Sequence, residues 1–181
     1  HEQNSIPGMT NKWLGRIADK IAVSFKKSLK AFPKEKVEVT GNMIREEFCQ
    51  SKEDTPEKLE GPFQVLVLGG SQGAHSINMA MVEALESLSE RKDDLHITHQ
   101  TGEADYEIVN KKYKENKFLC DIRPFIDDMA DQYKKASLVI CRAGATTLAE
   151  VTACGKMSVL VPFPHAAHNH QEKNARALEA A

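Results

Sequence analysis

The sequence predicts an α/β fold built on a doubly wound parallel sheet. Three observations predict it. From residue 63 onward, short β-branched runs alternate with longer amphipathic ones. Two of the short runs, VLVLGG at 65–70 and VICRAG at 139–144, pass through a glycine turn into a helical pattern. Hydrophobic residues make up 41% of the 181, enough to fill a core between layers. Parallel strands need a crossover connection, and a helix supplies it, so this alternation gives a sheet covered on both faces.

Taken in order, FQVLVL (63–68) is a buried strand. In the helix that follows, Ile77, Ala80, Met81, Ala84, Leu85 and Leu88 fall three or four apart and form one face. LHITHQ (95–100) is a strand, residues 103–115 a charged helix, FLCDI (118–122) a strand and DDMADQYKKA (127–136) a short helix. SLVIC (137–141) is the next strand, and TTLAEVTAC (146–154) a helix with Gly155 as its stop signal. MSVLVPF (157–163) is a further strand, and a last helix begins near His168. The first sixty residues depart from this rhythm. TNKWLGRIADKIAVSF (10–25) reads as a helix leading into a short strand, and KAFPKEKVEVTGNMIREEF (30–48) as a strand with a Gly-Asn turn. QSKEDTPEKLEGP (50–62) reads as a polar linker.

Composition narrows the function classes. With 24 basic and 26 acidic side chains the formal net charge is −2, a balance that asks for no nucleic acid. Cys49, Cys120, Cys141 and Cys154 lie far apart with no CxxC pair, the pattern of reduced thiols in a cytosolic protein. No apolar run approaches the ~20 residues of a membrane span, and no signal peptide is visible. The chain starts at His1 without a methionine and stops in ALEAA, within a helical pattern. We therefore expect a piece of a longer protein.

In a parallel sheet the strand-to-helix loops emerge at the carboxyl edge, where ligands of open α/β folds bind. The loops at 69–75, 99–103, 124–128, 142–147 and 162–171 are expected to face one crevice. Loop 69–75, GGSQGAH, offers bare backbone, the Ser71 hydroxyl and the positive pole of a helix, a cradle for phosphate. The same residues also suit a tight turn that binds nothing. The lysine of the GxxxxGK[ST] phosphate loop and the GxGxxG dinucleotide pattern are both absent. Loop 142–150, RAGATTLAE, repeats the design. Thr146 and Thr147 read as helix caps or as ligand contacts. Glu150 reads as a first-turn acid or as a carboxylate accepting hydrogen bonds from two ribose hydroxyls. His165, His168 and His170 crowd PFPHAAHNHQ, yet the spacing lacks a fourth zinc ligand and the HExxH arrangement. Asn169, His170 and Gln171 suit sugar hydroxyls instead. Asp127 and Asp128 read as helix-starting acids, and an exposed Ile126 beside them offers its backbone N–H and C=O to the edge of a flat base.

Seven collinear segments carry a resemblance: HEQN, GMTNKWL, TGNMIR, VLVLGGSQGAHSIN, HQTG, PFIDDMADQYKKASLVICRAGATTLAE and VPFPHAAHNHQEKNA. In this order the chain resembles the MurG family of bacterial N-acetylglucosaminyltransferases, within glycosyltransferase family 28, over nearly its whole length. The resemblance implies a GT-B fold of two Rossmann-like halves. Residues 1–45 would then be the end of the N-terminal half and the connection, 46–61 a linker, and 62–181 the UDP-sugar-binding half, cut short at its C-terminal end.

It also implies roles for residues. Ser71 would contact a phosphate of UDP, Ile126 would bind the uracil edge through its main chain, and Arg45 would pack near the base. Glu150 would take the ribose hydroxyls. Ala145, Thr146, Thr147, Leu148 and Ala149 would line the pyrophosphate and sugar, Gln171 would bind hydroxyls of N-acetylglucosamine, and Asn4 would reach the donor from the other side of the cleft. His170 stands where some members carry a second glutamine.

The implied reaction inverts the anomeric centre. The 4-hydroxyl of the muramyl sugar of lipid I attacks C1 of UDP-N-acetylglucosamine, giving lipid II in peptidoglycan synthesis. No cofactor or metal is obligatory, and the partners are the UDP-sugar, the lipid acceptor and the cytoplasmic face of the bacterial membrane. The base is expected in a GGTGGH loop of the N-terminal half, so this fragment is expected to bind donor with little turnover alone. Alternatives are another GT-B enzyme, such as a UDP-N-acetylglucosamine 2-epimerase or a glycolipid synthase, or a non-catalytic UDP-sugar-binding half that needs a partner.

Overall fold

The computed structural model describes residues 1–49, 61–166 and 169–180. It divides into two compact units: His1–Arg45 with Ala143–Glu150 and Pro162–Ala181, and Glu46–Arg142 with Val151–Val161.

The larger unit holds a five-stranded parallel sheet. Its strands are β3 (Phe63–Leu68), β4 (Leu95–Gln100), β5 (Leu119–Arg123), β6 (Leu138–Cys141) and β7 (Met157–Leu160), in the order β5-β4-β3-β6-β7. The central strand β3 buries Val65 to Leu68 without a break, because helices cover both faces. Edge strand β7 instead alternates, leaving Met157 and Val159 exposed.

Helix α3 (His75–Ser87) follows β3, α4 (Tyr106–Glu115) follows β4, α5 (Met129–Lys135) follows β5, and α6 (Ala145–Ala153) follows β6. One core cluster joins Val65, Val67, Ile77, Met81, Leu85, Ile97, Val109, Tyr113 and Phe118. The face expected on α3 is partly revised. Ile77, Met81 and Leu85 are buried, but Ala80 is exposed and Asn78 takes a core position with no exposed surface. Gly155, with φ +60°, ends α6 as the sequence predicts. The segment after Arg45, expected as linker, opens with a helical turn, α2 (Glu46–Cys49). Phe48 in it is fully buried, edge-on to Tyr133 with ring centroids 5.6 Å apart. The rest of the expected linker, 50–60, lies outside the described residues.

The smaller unit holds α1 (Met9–Ile17), β1 (Ile21–Val23), a 3-10 helix (Lys26–Ala31), β2 (Val37–Val39) and α7 (His170–Glu179). β1 and β2 pair in parallel, and Glu2 adds a bridge to Val23. Ile21, Val23 and Phe32 form its core. All four cysteines are free thiols. Among the described residues no helix is long and apolar enough to cross a membrane.

Candidate functional site

In the larger unit the chain winds outward from β3 through β4 to β5, then returns to β6 on the other side of β3. The point of reversal lies between β3 and β6, where Leu68 and Cys141 are register partners at the carboxyl edge. Ligands of such sheets bind at that point. The GGSQG turn leaves from Leu68, and Arg142 follows Cys141. Arg142 ties the end of β6 to α3 and to the chain leaving β7. Its Nη2 donates to Ser76 Oγ at 2.5 Å on the first turn of α3, and its Nη1 donates to the Val161 carbonyl at 3.1 Å.

The glycine turn is seated on the HQTG segment. Gly73 has φ +75°, and a Cβ there would stand 1.8 Å from the Thr101 carbonyl oxygen. Gly102, also at φ +75°, would place its Cβ 2.2 Å from the Gln72 carbonyl oxygen. Only glycine permits two backbones to meet this closely at positive φ. Ser71 stands exposed on the turn. The first intrahelical bond of α3 runs from the Asn78 N–H to the Ala74 carbonyl, and no side chain caps the helix. The amides of His75, Ser76 and Ile77 therefore precede the helical ladder, as anion binding at a helix start requires.

Polar side chains beneath the turn fix its position. Gln100, the last residue of β4, donates from Nε2 to the Gly70 carbonyl at 2.8 Å and accepts the Ile126 N–H at Oε1, also 2.8 Å. Asn78 donates from Nδ2 to the Thr101 carbonyl at 2.8 Å and to Asp105 Oδ2 at 2.7 Å. Its Oδ1 lies 3.0 Å from His99 Nε2, and His99 Nδ1 lies 3.2 Å from the Tyr113 hydroxyl. Because the Asn78 amide hydrogens are spent, His99 is protonated on Nε2 and accepts the Tyr113 hydroxyl proton on Nδ1. Burial lowers the His99 pKa from 6.5 to about 4, against the opposing charge of Asp105. Burial works to raise the Asp105 pKa, but hydrogen bonds from Asn78 and His75 prevail and hold the carboxyl below its ordinary value.

Ile126 differs from expectation. Its side chain is buried, at 2% exposure, while the neighbouring Phe125 is the exposed one. Its N–H already donates to Gln100, because the loop folds inward against the end of β4. Asp128 accepts from Gln132 and Arg123, as befits a helix-starting acid, and the Gln132 bond first, then Arg123, holds its carboxyl below the ordinary range. The structure thus brings together the loops at 69–75, 99–103 and 124–128, and within them Ser71 and Ile126.

The smaller unit gathers a second group. Asn174, wholly buried on α7, accepts the Ser5 N–H at 2.8 Å. It donates from Nδ2 to Asn4 Oδ1 at 3.1 Å and to the Ala143 carbonyl at 3.4 Å. Asn174 therefore links the HEQN segment to the start of the RAGATTLAE loop. The Glu2 carboxylate, 2% exposed, accepts the backbone N–H groups of Asn4 and Gly8 and the Asn11 amide. Its role is to shape this loop. Gln171 accepts the Phe163 N–H at Oε1 at 2.9 Å, which leaves its amide hydrogens as the donors.

On α6 the Leu148 N–H already bonds the Gly144 carbonyl, and its side chain is buried. Its amide thus lies inside the helical ladder. Ala145, Thr146 and Thr147 precede it. Thr146 is exposed, whereas Ala149 and Glu150 are half-buried. Arg45 is exposed. His168 lies outside the described residues.

Sequence reasoning from the residues missed Gln100, Asn78, His99, Asn174 and Arg142. A signal existed for Asn78, a polar residue on the apolar face of α3, and for Gln100, a polar residue closing a buried strand.

Comparison with known proteins gives concordant findings. Residues 64–181 match the glycosyltransferase family 28 C-terminal domain. A UDP-N-acetylglucosamine--N-acetylmuramyl-(pentapeptide) pyrophosphoryl-undecaprenol N-acetylglucosamine transferase of Geobacter sulfurreducens is 51% identical over 98% of this chain and 50% of its own length. The Myxococcus xanthus protein of the same name is 50% identical over 98% of this chain and 46% of its own. The chain thus spans about half the length of the curated relatives it matches. Among solved structures, MurG of Acinetobacter baumannii superposes with a TM-score of 0.79 at 35% identity, covering 99% of this chain and 50% of that one. The kitacinnamycin glycotransferase shares the fold, with a TM-score of 0.61 at 16% identity over 91% of this chain and 40% of that one.

Proposed function

The chain belongs to glycosyltransferase family 28 through the domain at residues 64–181, and from this membership we propose that it is the donor-binding part of a MurG-type transferase. The reaction is transfer of N-acetylglucosamine from UDP-N-acetylglucosamine to the 4-hydroxyl of the lipid-linked muramyl sugar, with inversion at C1. The single observation that carries this reading is the uncapped start of α3 beneath a glycine turn, at the reversal point of a family 28 sheet.

Ser71 and the first amides of α3 take a phosphate of the donor. The Ile126 carbonyl accepts N3–H of uracil, its own N–H being held by Gln100, and Arg45 packs near the base. Glu150 accepts the ribose hydroxyls. Ala145, Thr146, Thr147, Leu148 and Ala149 line the pyrophosphate and sugar, the Gln171 amide holds hydroxyls of N-acetylglucosamine, and Asn4 reaches the donor. As the glycosidic bond breaks, negative charge grows on the departing diphosphate. Preorganised amides at a helix start stabilise that charge without rearranging. None of the described residues is assigned as the base for the acceptor hydroxyl.

A lipid-linked acceptor implies work at a membrane surface, the cytoplasmic face in this reading. Support comes from α1, where Met9, Trp13 and Ile17 are 67%, 65% and 80% exposed at the four-residue spacing of one helical stripe, with Lys12 and Arg16 alongside.

Calorimetric titration of the chain with UDP-N-acetylglucosamine, UDP-glucose, ADP-glucose and NAD tests the proposal. The uridine ligands are expected to bind and the adenine ligands to fail. Equal affinity for both classes would remove the uracil assignment, and no binding of any would remove the donor reading.

A further inference from the structure

We infer that Gln100 is a positioning residue that fixes the phosphate-side loop and the base-side loop at one separation, so that the two ends of a nucleoside diphosphate are bound as a unit. The inference rests on the donor-binding reading above.

Gln100 ends the strand between the two loops concerned. Its register partners are Leu68 on β3 and Arg123 on β5, the residues from which those loops depart. The residue is 3% exposed and its carboxamide has both ends engaged, Nε2 to the Gly70 carbonyl and Oε1 to the Ile126 N–H, each at 2.8 Å. The pair fixes the amide's orientation, since a flip would set donor against donor and acceptor against acceptor. Two further bonds close the same corner. The Thr101 N–H donates to the Arg123 carbonyl and the Gly102 N–H to the Pro124 carbonyl, both at 3.0 Å. Gly102 in turn packs on Gln72 of the phosphate-side turn. Among these contacts only Gln100 touches both loops through one side chain. A change in either loop is therefore felt by the other through a rigid planar group. Both polar atoms of the buried side chain are engaged by the two loops, which separates positioning from direct contact.

The chemistry supplies a test that plain loss of structure does not reproduce. In Gln100→Glu, a protonated carboxyl copies the carboxamide, giving an O–H to the Gly70 carbonyl and a C=O to the Ile126 N–H. The ionised carboxylate has acceptors only and sets negative charge against the Gly70 carbonyl. Burial raises the carboxyl's pKa, so the exchange falls in an accessible range. UDP affinity is measured for wild type, Gln100→Glu and Gln100→Met between pH 5 and 8, each variant expressed relative to wild type at the same pH. The ratio for Gln100→Glu is expected near one at the acid end and to fall about tenfold as the carboxylate forms, the loss of one buried hydrogen bond. Gln100→Met is expected to be weakened by a similar factor with no pH dependence.

A Gln100→Glu ratio that stays flat while wild type binds UDP overturns the inference and leaves the donor reading standing. Wild type that fails to bind UDP overturns both. Should Gln100→Glu not fold, amide exchange in wild type decides. Uridine alone must then slow exchange at 69–73 through the shared side chain, and unchanged exchange there overturns the inference.

Discussion

Acid should loosen the larger unit through His99 well before general carboxylate protonation. The imidazole has no exposed surface and sits between Tyr113 and Asn78 as a neutral ring. Its pKa is about 4 in the fold against 6.5 as the ordinary value. A depressed folded pKa means that, between those two values, the unfolded chain holds the proton and the folded chain does not. Stability is therefore full above pH 6.5 and falls as the pH drops towards 4. The gap corresponds to about 3 kcal/mol at its limit, a large share of a domain's marginal stability. His99→Gln keeps a donor for Asn78 Oδ1 and an acceptor for the Tyr113 hydroxyl but does not titrate. Urea unfolding followed by far-UV circular dichroism, at half-unit steps from pH 7.5 to 4.5, yields stability for each protein. The two curves are expected to converge by about 2 kcal/mol or more towards the acid end, because wild type alone carries the histidine penalty. Parallel curves would refute the neutral, buried histidine.

Two further substitutions probe the candidate site. Gly73→Ala adds a Cβ 1.8 Å from the Thr101 carbonyl at a φ of +75°. It should cost more than about 2 kcal/mol in urea unfolding and weaken UDP, and an unshifted unfolding midpoint would deny the close seat of the turn on HQTG. Glu150→Ala should weaken UDP by ~1–3 kcal/mol with 2′-deoxy-UDP much less affected, if the carboxylate takes the ribose hydroxyls. Equal losses for the two nucleotides would return Glu150 to the role of a first-turn acid.

The sheet domain was legible because its inner strands β3 and β4 each carry an unbroken buried run and its helices keep a 3.6-residue stripe. FQVLVL and LHITHQ fall on β3 and β4 residue for residue. The glycine turns were legible too, since few residues other than glycine tolerate positive φ. The layer that holds those turns was not. Asn78 occupies a helical position where periodicity expects an apolar side chain, and Ala80 was counted on the buried face in its place. Periodicity reports hydrophobicity, whereas Asn78 is buried by its hydrogen bonds to Thr101, Asp105 and His99. Ile126 failed for a related reason. Its exposure was read from its place before a helix start, but burial followed from the Gln100 carboxamide, 26 residues away in sequence.

That hidden layer explains how a flexible residue type yields a rigid cradle. Glycine lets the backbone adopt the turn but, having no side chain, does nothing to hold it there. At Gly73 and Gly102 the missing Cβ atoms bring two main chains into contact. Buried carboxamides at Gln100 and Asn78 then grip the carbonyls of Gly70 and Thr101. Carbonyls held from below leave the turn fewer alternative shapes, so less order remains to be imposed when an anion arrives. Replacing Asn78 by an apolar residue of similar size would satisfy the periodicity of α3 yet strand the Thr101 carbonyl and the His99 N–H in the core. The polar residue on the apolar stripe is thus a requirement of the loop above it.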